Sequence, residues 1–244
     1  MSVKLDKHLE ALFITQLQDW QARLEFVSKQ FPGKAIFSTS FSIEDQIITH
    51  IIAEHKLDID IFTLDTGRMF DETYEVWQRT KEKYNIAIKP YYPNSEKLQN
   101  YVELNGVNAF YESQDLRTTC CNIRKIEPLT RALSGYDFWL SGLRSAQSQA
   151  RGDKALYEID SIFDIVKFYP ILELEDDKIW EFIKENNIPY NKLYDKGFTS
   201  IGCAPCSRVP TDPKDPRSGR WWWEDEGQKE CGLHVVDGKL VRQK

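Results

Sequence analysis

The chain has 244 residues, of which 41% are hydrophobic and 29% are charged. These proportions predict one large domain with a packed core, and they exclude global disorder. The formal net charge of −6 argues against general nucleic-acid binding, which depends on a basic surface. The longest apolar runs are too short to span a bilayer, and the N-terminus lacks the basic start and apolar stretch of a signal peptide. We therefore expect a cytoplasmic protein without a membrane segment, in which thiols stay reduced.

Helix and strand patterns alternate along most of the sequence. In chain order, we predict a helix over 5–30, a strand over 34–38, a helix over 44–56, a strand over 59–64, a helix over 71–84, strands over 86–92, 137–141 and 165–169, and a helix over 176–186. This alternation is typical of a doubly wound α/β fold with a mainly parallel sheet. Beyond residue 206 the sequence becomes polar and rich in proline. We therefore expect an α/β domain over 1–206 and a mobile C-terminal tail with functional residues over 207–244.

Two loops follow predicted strands. Residues 38–45 (STSFSIED) lie before a helix N-terminus, where backbone N–H groups and the helix dipole favour an anion. The alternative is an ordinary helix cap, because serine and threonine are common capping residues. Residues 64–68 (LDTGR) lie where the ligand crevice of an open α/β sheet forms, and Gly67 would allow a ring or ribose to approach closely. The alternative there is a plain connecting loop.

Five cysteines are present, four of them in two close pairs. Cys120 with Cys121, and Cys203 with Cys206, form a plausible set of four thiolate ligands for zinc or an iron–sulfur cluster. Adjacent cysteines suit zinc poorly and can reach two separate irons more easily, so the pattern favours a [4Fe–4S] cluster. Cys231 is left over, as either a nucleophile or an incidental exposed thiol.

Basic side chains surround these motifs. Arginine and lysine can bind sulfate and phosphate oxygens, although any one of them alone is more often a solvated surface charge. The candidates are Arg124, Lys125, Arg144, Arg151, Arg217 and Arg220.

The order of these motifs resembles one enzyme family. STSFSxED, LDTGR, CCxxRK, GLRxxQS, CxxC and ECGLH, running from Ser38 to His234, resemble the adenylyl-sulfate and phosphoadenylyl-sulfate reductases of sulfate assimilation. The double cysteine resembles the iron–sulfur branch, which uses adenosine 5′-phosphosulfate (APS). The branch that uses the 3′-phosphorylated form (PAPS) generally lacks these four cysteines.

The resemblance implies an adenine nucleotide α-hydrolase-like fold and thioredoxin-dependent reduction of APS to sulfite and AMP, for cysteine biosynthesis. It implies that Cys231 is the nucleophile, carries an S-sulfocysteine intermediate and is then attacked by thioredoxin. It also implies one [4Fe–4S] cluster per chain on Cys120, Cys121, Cys203 and Cys206, and homo-oligomers. The implied substrate-binding residues are Ser38, Ser40, Phe41, Ser42, Leu64, Asp65, Thr66, Gly67, Lys125, Arg144, Arg217 and Arg220.

Three other interpretations stay open. A PAPS reductase would share the family and differ in substrate. An ATP-pyrophosphatase-type thiolation enzyme would share the fold, but such enzymes usually carry a glycine-rich SGGxDS loop, whereas this loop has Phe41 and no glycine. A non-catalytic nucleotide-binding or redox-sensing module would not need the ECGLH motif.

Overall fold

A computed structural model describes residues 19–147, 155–212, 215–224, 235–236 and 239–240. The α-helices in these residues are Trp20–Gln30, Ile43–Glu54, Asp71–Tyr84, Ser95–Asn105, Gln114–Cys121, Glu127–Leu133 and Asp176–Glu185. A π-helical turn, Asn122–Ile126, joins Gln114–Cys121 to Glu127–Leu133. Short 3₁₀ turns are Ala109–Tyr111, Ser145–Gln147 and Ala204–Cys206. Among the residues just given, no helix is long and apolar enough to cross a membrane.

The main sheet of the described chain has six strands. They are β1 (Ala35–Ser38), β2 (Asp60–Leu64), β3 (Lys89–Tyr91), β4 (Phe138–Leu140), β5 (Tyr157–Asp160) and β6 (Ile165–Phe168), in the order β3-β2-β1-β4-β6-β5. β1 runs parallel to β2 and β4, and β4 runs parallel to β6, whereas β5 is antiparallel to β6. A separate antiparallel pair joins β7 (Val235–Val236) to β8 (Lys239–Leu240).

This topology confirms the predicted doubly wound, mainly parallel sheet. The chain passes from β1 outward to β2 and β3 and then returns to β4 on the other side of β1. The order therefore reverses between β1 and β4, which is where ligands bind in folds of this type. The strands β4 and β6 are buried throughout, because parallel strands are covered on both faces.

The described chain divides into two compact units. The described residues of unit 1 fall within 1–63, 71–89 and 135–192, and those of unit 2 fall within 64–70, 90–134 and 193–244. The apolar core around β1, β4 and β6 lies in unit 1 and includes Phe37, Leu140 and Phe168, all fully buried. Unit 2 carries both cysteine pairs. The predicted boundary at residue 206 stays a prediction.

Several predicted elements agree closely with the structure. The helix Asp71–Tyr84 has the predicted bounds and buries Thr73, Val76 and Thr80 along one face. Of the predicted helix over 5–30, residues 5–18 lie outside the described residues. The three helices between residues 95 and 133 and the strand β5 had no counterpart among the elements predicted in chain order.

Candidate active site

In unit 1, residues 38–45 connect β1 to the helix Ile43–Glu54. The N–H and the hydroxyl of Ser40 both bond Asp45 Oδ2 at 2.7 Å. Ser42 is the N-cap of the helix, since its Oγ accepts the Asp45 N–H at 3.2 Å. The loop therefore includes a capped helix N-terminus, and its serine donors are organised around the Asp45 carboxylate.

The side chains of Ser38 and Phe41 pack into unit 1. Ser38 Oγ accepts the Trp139 indole N–H at 2.9 Å. Phe41 is 1% exposed and stacks on Trp77 with the ring centroids 5.5 Å apart. Its φ of 61° is unusual for a bulky residue, so the surrounding packing must hold the loop in this shape. Phe41 thus shapes the loop from within, and its predicted contact with substrate stays a prediction.

Asp45 is a buried acid at the point where the strand order reverses. Burial, assisted by the neighbouring Glu44 carboxylate, raises the pKa of Asp45 to about 6, although hydrogen bonds from Ser40 and Ser42 act in the opposite direction. Gly142, just beyond β4, leaves room for this carboxylate, because a Cβ at Gly142 would overlap Asp45 Oδ1. The loops after β1 and β4 therefore meet at Asp45.

Arg144 forms an ion-pair network inside unit 1. Its guanidinium bonds Glu44 Oε1 at 2.9 and 3.2 Å, Asp176 Oδ1 at 2.5 Å and the Leu174 carbonyl at 2.8 Å. The Arg144 and Glu44 side chains are only 4% and 7% exposed. An anion bound to Arg144 would have to share the guanidinium with these carboxylates. Its predicted anion-binding role stays a prediction.

In unit 2, residues 64–68 continue from β2 and turn at Gly67. Leu64 ends the strand, and Gly67 has a φ of 66°, a conformation that favours glycine. Asp65 Oδ1 accepts the Gly67 N–H at 2.8 Å, and Thr66 Oγ1 accepts the Arg68 N–H at 3.2 Å. Asp65 and Thr66 are buried, and both stabilise the turn.

The same segment contacts the cysteine-bearing part of unit 2. Thr66 Oγ1 lies 3.3 Å from Cys203 Sγ, and Arg124 Nη1 donates to the Thr66 carbonyl at 2.5 Å. The Ala204 N–H also donates to the Arg68 carbonyl at 2.8 Å. The LDTGR motif and the cysteine motifs, which lie far apart in the sequence, are thus hydrogen-bonded to each other.

All four paired cysteines line one cavity in unit 2. Cys120 and Cys121 end the helix Gln114–Cys121, and Cys203 caps the turn Ala204–Cys206. The cavity is also lined by Arg68, Phe110, Arg117, Arg124, Lys125, Pro205 and Trp221. The predicted convergence of the two cysteine pairs is therefore present in the fold.

The electrostatics of the thiols depends on burial and on the cations around them. Burial raises the pKa of Cys120, while the Arg124 guanidinium lowers it. Burial, together with the nearby Cys203 and Cys121, raises the pKa of Cys206 to about 12 against the opposing effects of Lys125 and Arg220. In the described part of the chain, no group of three or more histidine, cysteine or acidic side chains is arranged to hold one metal ion. That result concerns sites for a single metal ion. It does not test a four-iron cluster, in which each thiolate binds a different iron.

The predicted cations Lys125, Arg217 and Arg220 lie in unit 2. Lys125 sits on the π-helical turn and lines the cysteine cavity. Arg217 and Arg220 both donate to Ser200 Oγ at 3.4 Å. Arg220 is 5% exposed, and within the described residues its Nε has no hydrogen-bond partner. The structure thus brings Arg217 and Arg220 to a shared serine.

The residues at the cysteine cavity that were not among the predicted site residues include Arg68, Arg117 and Trp221. Arg68 lies over the Phe110 ring, Arg117 precedes Cys121 by one helical turn, and Trp221 is buried beneath two arginines. The spacing of four residues between Arg117 and Cys121 places both on one helix face and would have been a usable signal. Cys231, the predicted nucleophile, and Arg151 lie outside the described residues.

Comparison with known proteins assigns the family. Residues 34–209 match the phosphoadenosine phosphosulfate reductase domain. The chain is 42% identical over 219 residues to an adenosine 5′-phosphosulfate reductase of Sinorhizobium fredii, covering 90% of this chain and 87% of the relative. It is 46% identical over 201 residues to one of Neisseria meningitidis, covering 82% of each chain.

Solved structures agree with this assignment. A phosphoadenylyl-sulfate reductase from Candida auris superimposes with a TM-score of 0.72 and 26% identity, covering 84% of this chain and 98% of that one. An FMN adenylyltransferase of Candida glabrata gives a TM-score of 0.54 at 15% identity, over 84% of this chain and 65% of that one, and shows the shared fold alone. The chain belongs to the phosphoadenosine phosphosulfate reductase family.

Proposed function

We propose that this protein reduces APS to sulfite and AMP in sulfate assimilation, for cysteine biosynthesis. Relatives that are 42% and 46% identical over most of the chain are adenosine 5′-phosphosulfate reductases. The observation that carries the proposal is the cavity in which all four paired cysteines meet Lys125 and three arginines. A PAPS reductase is the second candidate, because the similar Candida auris structure is a phosphoadenylyl-sulfate reductase.

The cysteine cavity fits a [4Fe–4S] cluster. Four thiols from two chain segments provide the soft ligands that such a cluster requires, and four cationic side chains line the same space. Those cations offset the negative charge of four thiolates, which burial alone would disfavour. We propose that Cys120, Cys121, Cys203 and Cys206 hold one cluster per chain. When bound, it would supply structural order and an electrostatic field, with no electron transfer.

The chemistry would take place at Cys231. Its thiolate attacks the sulfur of APS, the bond from sulfur to the phosphate oxygen breaks, and AMP leaves. An S-sulfocysteine results on Cys231. AMP is a good leaving group because its phosphate needs little protonation, so positioning and charge neutralisation matter more than a strong general acid. We assign that neutralisation to cations of this chain, among them Lys125, Arg144, Arg217 and Arg220.

A dithiol protein would complete the cycle. One thiolate of thioredoxin attacks Cys231 Sγ, sulfite leaves with the electron pair, and the second thioredoxin thiol resolves the mixed disulfide. APS and two thiols thus give sulfite, AMP and one disulfide. No resolving cysteine remains in this chain if the other four hold the cluster, so an external reductant is required. Such chemistry belongs in a reducing compartment, and we propose the cytoplasm.

Sulfite release by anaerobically purified protein tests the function. With thioredoxin present, we expect faster sulfite release from APS than from PAPS, and the reverse order would favour the second candidate. Cys231→Ser should abolish turnover while AMP binding persists. APS labelled in its sulfur, added without reductant, should label Cys231, and label on another residue would reassign the nucleophile. Iron and sulfide analysis tests the cluster, since one zinc per chain would disprove it.

A further inference from the structure

Residues 220–224, here called the tail root, pack against the cysteine cavity within unit 2. Trp221 is 2% exposed and donates its backbone N–H to the Cys206 carbonyl at 3.3 Å. An isolated antiparallel bridge joins Ser207 to Arg220. Trp221 has a φ of 41°, a conformation that a bulky residue adopts only when its surroundings impose it. The tail root is therefore held in one conformation by its contacts.

Arg117 joins the tail root to the helix that ends in Cys120 and Cys121. Its Nε pairs with Glu224 Oε1, and its Nη2 donates to Glu224 Oε2 at 3.2 Å. The guanidinium lies 4.5 Å from the Trp221 ring centroid. Arg117 also hydrogen-bonds the Cys121 thiol. One guanidinium thus contacts a predicted cluster ligand and two residues of the tail root.

The pairing between Arg117 and Glu224 differs from an ordinary surface ion pair. The two side chains are 9% and 14% exposed, so solvent and salt screen them little. The planar fork of arginine matches both carboxylate oxygens and stacks on an indole, a combination that lysine cannot reproduce. The contact therefore fixes the direction as well as the position of the tail root.

We propose that Arg117 is a positioning residue for the reaction, because it fixes the point from which the chain continues to Cys231. This inference rests on the proposed function of Cys231. Cys231 lies seven positions beyond Glu224 in the sequence. A fully extended chain of seven steps spans at most about 25 Å, so the position of Glu224 bounds the region that the thiol can reach. Loss of the anchor would leave the last fixed residue further from Cys231 along the chain and lower the effective concentration of the thiol at the substrate.

Single-turnover labelling measures this effect directly. APS labelled in its sulfur is mixed with the holoenzyme without reductant, and the rate of label transfer to Cys231 is followed over a range of APS concentrations. For Glu224→Gln we expect the rate constant at saturating APS to fall about tenfold. The APS concentration that gives half the maximal rate should change less than about twofold, because the variant acts on the thiol and leaves nucleotide binding intact.

Two further variants separate positioning from a purely structural role. Arg117→Lys keeps the charge but loses the bidentate geometry, so its rate constant should lie between those of wild type and Glu224→Gln. The exposed Glu103 of the same unit provides the matched control, and Glu103→Gln should label at the wild-type rate. The visible absorbance of the cluster, which reports the cysteine site, should be the same in Glu224→Gln as in wild type.

The outcomes distinguish this inference from the proposed function. If wild-type protein acquires no label at Cys231, the proposed function and this inference both fail. If wild type is labelled and Glu224→Gln is labelled equally fast, the inference alone fails. It also fails if the variant loses APS affinity in proportion to its rate, or if it loses the cluster absorbance. In those cases Glu224 and Arg117 would serve substrate binding or the stability of the cysteine site.

Discussion

Substitution of Asp45 by asparagine should stabilise the protein increasingly as the pH rises. Asp45 is 6% exposed, and Ser40 donates two hydrogen bonds to its carboxylate. Burial and the Glu44 carboxylate raise its pKa from an ordinary value near 3.8 to about 6, against the effect of those hydrogen bonds. The fold therefore favours the protonated carboxyl, and ionisation at neutral pH opposes folding.

The size and sign of the effect follow from proton linkage. Because the folded-state pKa lies above the unfolded one, the protonated group contributes stability fully below pH 3.8, and this contribution is lost as the pH rises through about 6. Each pKa unit corresponds to about 1.4 kcal/mol, so the loss totals about 3 kcal/mol. An asparagine side chain has the same shape as aspartate and does not titrate. The unfolding free energy of Asp45→Asn relative to wild type should therefore increase by about 3 kcal/mol between about pH 4 and pH 7.5.

Urea unfolding, followed by tryptophan fluorescence at several pH values, measures this difference. Asp58→Asn is the matched control, because Asp58 is exposed and also accepts a backbone N–H, that of Gly33, at 2.9 Å. It controls for the loss of one carboxylate that accepts a backbone hydrogen bond. A difference between Asp45→Asn and wild type that stays constant with pH, or that decreases as the pH rises, would refute the reasoning.

Three other substitutions test packing in the two units. Gly142→Ala should lower the unfolding free energy by about 1–3 kcal/mol, because its Cβ would overlap Asp45 Oδ1; an unchanged melting temperature would show that Asp45 shifts freely. Gly219→Ala should lower the melting temperature by at least about 2 °C in calorimetry, since its Cβ would overlap the Arg208 backbone carbonyl; a smaller change would contradict this packing. Gln46→Leu should destabilise the protein by about 1 kcal/mol in urea, because one buried and one partly buried hydrogen bond from Nε2, at 2.7 and 2.6 Å, are lost; a more stable variant would show that Oε1, which has no partner among the described residues, outweighs them.

The parts of the fold that the sequence predicted are those with a strong apolar pattern, either periodic or continuous. The run Ala35–Phe37 is apolar throughout and is buried as a central parallel strand. By contrast, the helix Ser95–Asn105 buries only Tyr101, so its apolar pattern was too weak to predict. The edge strand Tyr157–Asp160 is short and mostly polar and pairs on one side only, which left little signal for a strand.

In the candidate site, too, some features were predictable from the sequence and others were not. The convergence of the cysteine pairs was predictable, because thiols in two close pairs are rare outside ligand sets. The contact of Arg117 with Glu224 was not, since 107 residues separate them and charged residues make up 29% of the chain. The ion pair between Arg144 and Glu44 was unpredictable for the same reason. Sequence alone does not distinguish an arginine that binds a substrate anion from one that bonds carboxylates of its own chain.

The hydrogen bonds between the cysteine site and residues 64–68 explain how a cluster without electron transfer would serve the reaction. Thr66 contacts Cys203 through its hydroxyl, and its carbonyl accepts from Arg124, whose guanidinium also bonds the Cys120 thiol. Four ligands held at fixed positions would therefore also hold the turn at residues 64–68, which is predicted to bind substrate. A protein that loses its cluster would then bind AMP more weakly, although no step of the proposed chemistry passes through iron. The cofactor's contribution would thus be the order that it imposes on the chain around it.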